Sequence, residues 1–182
     1  MAQPAETRMR VGGVQPTQIL AALVGIAYLG LGIWGLTVTG FGDFIDPVGA
    51  SIWVFSVNPL HNIVHLVVGV LGVAMAMNSG LSRTFGWFLF IVFGLLFVWG
   101  LAITGVFASN PVSGLGNPLA IGTADNWLHL GTALAGLLIA VMPARRVVET
   151  AGPASASPAV EEEPSRGHGG LRNRFSRRGT AH

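Results

Sequence analysis

Four side chains able to hold a metal ion or pass a proton fall in two short, similar segments. His61 and His65 stand in NPLHNIVHL, and Asp125 and His129 in ADNWLHL. If both segments are helical, the i, i+4 spacing sets each pair on one face, a turn apart. His-x3-His together with Asp-x3-His is a spacing by which two helices supply nitrogen and oxygen ligands to tetrahedral zinc, or to copper. His65 and His129 alone could hold a haem iron, and a proton relay would draw on the same groups. Set against these chemistries, all four residues lie within about two turns of a helix start, where water and headgroups reach. Asn62 and Asn126 lie beside them and can form a polar clasp that fixes helix register through interhelical hydrogen bonds of about 1 kcal/mol each. The clasp is the preferred reading, with no bound cofactor, and a metal set of His61, His65, Asp125 and His129 is the alternative.

The elements that must carry these residues are set by composition. Of 182 residues, 51% are hydrophobic and 10% charged, a balance that belongs in lipid rather than in a soluble domain. Between Arg10 and Arg145 the only charged side chains are Asp43, Asp46, Arg83 and Asp125. With no cysteine, disulfides, thiolate metal sites and thiol redox chemistry are excluded. There is also no P-loop, no G-x-G-x-x-G at a strand-to-helix turn, no HExxH and no Ser nucleophile in a G-x-S-x-G setting, so no enzyme is expected.

The pattern predicts an all-α membrane protein, a bundle of four transmembrane helices. Span one runs from Ile19 to Val38, uncharged and about 20 residues long, which matches a hydrocarbon core of about 30 Å. It lacks a small-residue cleavage pattern and reads as an uncleaved anchor. Span two runs from Pro59 to about Met77, with Asn58 at the N-cap and Pro59 at the first helical position, where its missing N–H costs nothing. Span three covers roughly Phe85 to Thr104. Span four covers Ala124 to Met142 and is closed by Pro143. The short connection Asn78 to Arg83 makes spans two and three antiparallel neighbours.

Arg8, Arg10, Arg83, Arg145 and Arg146 all fall on one side of this arrangement. The positive-inside rule places that side, and both termini, in the cytoplasm of a bacterial inner membrane. Trp34, Trp53, Trp99 and Trp127 then lie near the outer interface and Trp87 near the inner one. The segment Val48 to Val57 reads either as an interfacial piece or as a packed lid. Residues 1–17 form a cytoplasmic N-terminal segment. Residues 143–182, rich in Pro, Ala, Ser, Glu, Gly and Arg, read as a disordered cytoplasmic tail. Its Arg166, Arg172, Arg174, Arg177 and Arg178 are read as solvated, with contact to anionic lipid as the alternative.

The membrane domain, 18–142, contains its own half-image. WGLTVTG at Trp34–Gly40 returns as WGLAITG at Trp99–Gly105, 65 residues on. Asn62, His65 and Leu66 return as Asn126, His129 and Leu130, 64 residues on. The domain therefore reads as two tandem helical hairpins, 18–77 and 84–142, related by a pseudo-twofold along the membrane normal. Small residues continue each histidine stripe, as Gly69, Gly72 and Ala76 on span two and Ala133, Gly136 and Ala140 on span four. The expectation is that these stripes face each other. Partners are membrane lipid and, through glycine faces such as Gly25 and Gly32, a second copy or another membrane protein; no nucleic acid is expected.

The paired N-x-x-H-L motifs in NPLHNIVHLVVGVLGVA and ADNWLHLGTALAGL resemble a family of bacterial, mainly actinobacterial, membrane proteins defined by domain of unknown function 4383. The resemblance runs over Gln18 to Met142 and implies a four-span fold in the inner membrane. It implies no substrate, cofactor or catalytic residue.

Overall fold

Helix signals in the sequence fix four α-helices. In the computed structural model, which describes residues 7–45, 49–107 and 113–150, these are α1 (Pro16–Thr39), α2 (Pro59–Met75), α3 (Ser79–Ile103) and α4 (Thr123–Val141). They lie in one unit, Arg8–Glu149. Three of the helices, α1, α3 and α4, are long and apolar enough to cross a membrane. The fourth, α2, is apolar with 17 residues.

Caps explain the boundaries. Asn58 accepts from the His61 backbone N–H at 2.8 Å, and Pro59 follows at the first helical position. Asn78 accepts from Gly80 and Leu81 N–H, so α3 begins at Ser79. Arg83 is therefore a helical residue and not part of a connection.

Each helix packs mainly on its partner in sequence, α1 on α2 and α3 on α4, with lighter contact between the pairs. This corrects the expectation that the stripes of α2 and α4 meet. A Cβ on Gly69 would stand 2.6 Å from the Leu29 backbone nitrogen, and one on Gly72 2.7 Å from Gly25 Cα, so that stripe is spent on α1. A Cβ on Gly136 would stand 2.6 Å from Leu89 Cβ and 2.7 Å from the Phe90 nitrogen, so its stripe is spent on α3. Close approach needs small residues on both helices, and it is α1 (Gly25, Gly32) and α3 (Gly86) that supply the matching faces. Gly25 and Gly32 are accordingly occupied within the chain, not free for a partner. Between the pairs, Tyr28, Val68, Phe85, Leu89, Phe93, Ala133 and Ile139 form a buried apolar core.

Polar ties close the end where α1 and α3 begin. Gln18 donates to the Ala76 carbonyl at 2.9 Å, and Arg83 to the Met142 carbonyl at 2.6 Å, each satisfying a last-turn acceptor. Gln15 accepts from Arg145 N–H at 2.7 Å. Next to it, β4 (Arg146–Thr150) pairs with β1 (Thr7–Val11). The first residues of the expected disordered tail are thus a strand; Val147, Val148 and Thr150 are β-branched and favour it. The rest of the tail, with its five arginines, lies outside the described residues, as do residues 1–6 of the N-terminal segment.

At the other end, β2 (Ser51–Ile52) and β3 (Phe55–Ser56) make a hairpin with Ile52 opposite Phe55. Its tip holds Trp53 at φ 54°, 77% exposed, with its ring edge-on to Trp34 at 5.4 Å. Ile52 and Val57 are buried.

Candidate functional site: a buried histidine cluster

The starts of α2 and α4 carry the predicted site residues, and the fold buries all of them. His61, His65, His129, Asp125, Asn62 and Asn126 are each 4% exposed or less. His61 and His65, a turn apart on α2, have ring centroids 4.4 Å apart, and His129 on α4 lies 6.3 Å from His61. The three rings thus come together although the two helix backbones do not pack closely. Tyr28 of α1 stands edge-on to His65 at 5.1 Å, and Phe93 of α3 lies 5.6 Å from His129. Tyr28 and Phe93 touch each other at 5.3 Å and floor the cluster.

Asp125 plays a different part. Its Oδ2 accepts from Gly122 N–H at 2.7 Å and from Ser56 N–H at 3.3 Å. The first bond caps α4 at the end where the helix dipole favours negative charge. The second fastens the β2–β3 hairpin over the helix starts. Asn58 adds a tie across the same end by donating to the Pro118 carbonyl at 2.8 Å. The segment before α2 is therefore a packed lid over the described part of this end.

Asn62 and Asn126 make matching bonds. Asn62 Nδ2 donates to Thr39 Oγ1 at 3.0 Å, and Asn126 Nδ2 to Thr104 Oγ1 at 3.0 Å. Each asparagine lies against a glycine of the partner helix, Gly35 and Gly100, where a Cβ would overlap its side-chain oxygen. These are interhelical bonds, α2 to α1 and α4 to α3. Thr39 and Thr104 were missed as site residues in the sequence, although both lie in the repeated WGLTVTG and WGLAITG motifs. Tyr28 was missed as well; its signal was a lone tyrosine inside an apolar span.

The histidines contrast with the asparagines. His61 Nδ1, His129 Nδ1 and both ring nitrogens of His65 are buried without a hydrogen-bond partner, as are Asp125 Oδ1 and the Asn62 and Asn126 side-chain oxygens. A buried polar group left unpaired costs about 1–3 kcal/mol, so such a concentration calls for an explanation. In this packing the rings contact one another at tilts of 50° and 55°. Among the described residues no three His, Asp or Glu side chains are arranged to hold a metal ion. Chemically the cluster offers ring nitrogens able to donate or accept hydrogen bonds, and Asp125 adds one carboxylate oxygen without a partner.

Searches of curated proteins and of solved structures return no match. The paired N-x-x-H-L segments and both asparagine ties fall within residues 18–142, which match the model of a domain of unknown function (DUF4383), and the chain belongs to that family.

Proposed function

We propose that the chain is an integral membrane protein that crosses the bacterial inner membrane four times, as two tandem helical hairpins with both termini in the cytoplasm. We read it as a non-enzymatic accessory or structural component of the envelope, acting through packing and association. The observation that carries the reading is the doubled asparagine tie, Asn62 to Thr39 and Asn126 to Thr104, at the same distance and beside equivalent glycines. Interhelical amide bonds next to glycine are what hold helices together where no water drives association. Support for four crossings comes from α2, whose 17 residues reach about 26 Å, at the short end of what spans a bilayer. Support for the orientation comes from Arg83 and Arg145, which the fold brings to one end.

The lack of cysteine makes a direct test available. Single Ser51→Cys and Ser79→Cys variants bracket α2, and a membrane-impermeant maleimide applied to intact spheroplasts should label the first and leave the second unlabelled until the membrane is opened. Equal labelling of both would refute the crossing by α2.

The unpaired ring nitrogens favour a second reading, in which His61, His65 and His129, with Asp125, hold a metal ion or His65 and His129 a haem. The rings would have to rotate to present nitrogens to one point. Metal analysis and an absorption spectrum of the purified protein, beside a His65→Ala, His129→Ala double variant, decide it: about one cofactor per chain, lost in the variant, establishes the site.

A further inference from the structure

The two halves of the molecule differ at one place in a concerted way. Between α1 and α4 a groove of about 290 Å³ opens on the lipid-facing side, with Tyr28 and Thr132 at its base. Their hydroxyls share one hydrogen bond of 2.7 Å and both side chains are buried. Between α3 and α2, the positions 65 and 64 residues away carry different residues. Ala27 is answered by Val92, Tyr28 by Phe93, Gly131 by Val67, Thr132 by Val68 and Ala135 by Leu71. Each of these five changes either removes a hydroxyl or adds bulk, whereas two other lining residues, Trp127 and Leu128, are answered by the smaller Ile63 and Val64. At the second location Val68 and Phe93 lie in the core without a hydroxyl, and Val67 and Leu71 stand where the groove has Gly131 and Ala135.

We infer that the α1–α4 groove is a binding site for a lipid-soluble carbonyl compound of the quinone class, received by the Tyr28–Thr132 hydroxyl pair. Two hydroxyls bring two hydrogens, and their mutual bond uses one. The other is left to donate to a carbonyl oxygen, and in lipid no water competes for it.

Depth selects the ligand, an argument that rests on the membrane reading above. Tyr28 is the thirteenth of the 24 residues of α1, and Thr132 the tenth of the 19 of α4. The pair thus sits near mid-membrane, about 14 Å from the start of α4. Ester carbonyls of phospholipids lie at the edges of the roughly 30 Å core and do not reach it. A small ring carrying carbonyls on an isoprenoid tail dissolves at that depth. The groove volume is at the lower end of the range for small-molecule pockets, about 300–1,000 Å³, enough for the ring while the tail lies in lipid. Trp127 lines the groove and is 69% exposed, close enough to report a bound quinone by quenching.

The full chain in phospholipid nanodiscs would be titrated with 2-decyl-1,4-naphthoquinone, following tryptophan fluorescence. The expected result is a saturable component near one probe per chain, absent in Trp127→Phe. Gly131→Val should weaken it at least tenfold; a Cβ there meets nothing within 4 Å, so the variant fills the groove without disturbing the fold. A Tyr28→Phe, Thr132→Val double variant, which installs the residues of the other half, should weaken it to the same degree. Quenching that rises linearly with probe and is equal in all variants overturns the proposal. Equal competition by 2-decylnaphthalene, which has no carbonyl, would give the groove to an acyl chain and overturn it too. So would disulfide-linked dimers of Gly131→Cys in native membranes, which would mark a contact between copies. Failure of the chain to enter nanodiscs would defeat the membrane reading as well, whereas incorporation without saturable quenching defeats the groove alone.

Discussion

The helix pair α1–α2 and the pair α3–α4 share their seams and ties and diverge at a few buried polar positions. Both close a glycine seam, both tie an asparagine to a threonine, and both use an early residue of the first helix, Gln18 or Arg83, to satisfy a last-turn carbonyl of the second. They part at His61 against Asp125, Tyr28 against Phe93 and Thr132 against Val68. The shared features stabilise; the differences assign tasks. Asp125 caps α4 and pins the β2–β3 hairpin, whereas His61 faces two other rings with an unpaired nitrogen.

That contrast can be broken from several sides. The largest effect is expected from Gly69→Val and Gly136→Val, whose side chains would meet partner-helix atoms at 2.6 Å; each should cost about 3 kcal/mol, read as loss of folded protein in a detergent unfolding titration. If either were tolerated, that seam would not be holding its pair. Asp125→Ala removes the acceptor for Gly122 and Ser56 and should cost about 1–2 kcal/mol, with faster proteolysis of the 51–56 hairpin as the accompanying sign. Asn62→Ala and Asn126→Ala should each cost about 1 kcal/mol, and by similar amounts, measured as paired shifts in unfolding midpoint; a large inequality would break the equivalence of the two pairs. The smallest effect is expected at His65→Leu. With both ring nitrogens unpaired, an apolar replacement should leave stability unchanged or improved, and a substantial loss instead would show that the ring is engaged by a bound group.

Much of the fold was legible because long uncharged apolar runs obey strong rules. Apolar runs located the helices to within a few residues, and Asn58-Pro59 marked the start of α2. The start of α3 was misjudged by six residues, since Ser79 to Thr84 is polar enough to look like a loop. The small-residue stripes announced close approach but not the partner. Gly69 fits against any helix with a matching gap, and only the fold shows that Gly25 and Leu29 supply it. The gathering of His61, His65, Asp125 and His129 at two helix starts was readable from the duplicated motif, but their full burial was not, since helix starts were expected within reach of water and headgroups. The unpaired histidine ring nitrogens were not legible either, because they depend on ring placement between helices that scarcely touch. The pairing of β4 with β1 was hidden by the charged, proline-rich stretch into which β4 leads.

The seams also bear on how the chain is made. Each glycine seam joins helices adjacent in sequence, so the first pair can form while the second is still being synthesised, and no long stretch of chain must wait for a distant partner. Two fragments divided at the turn between Met77 and Ser79, expressed together as separate chains, should therefore find each other and assemble.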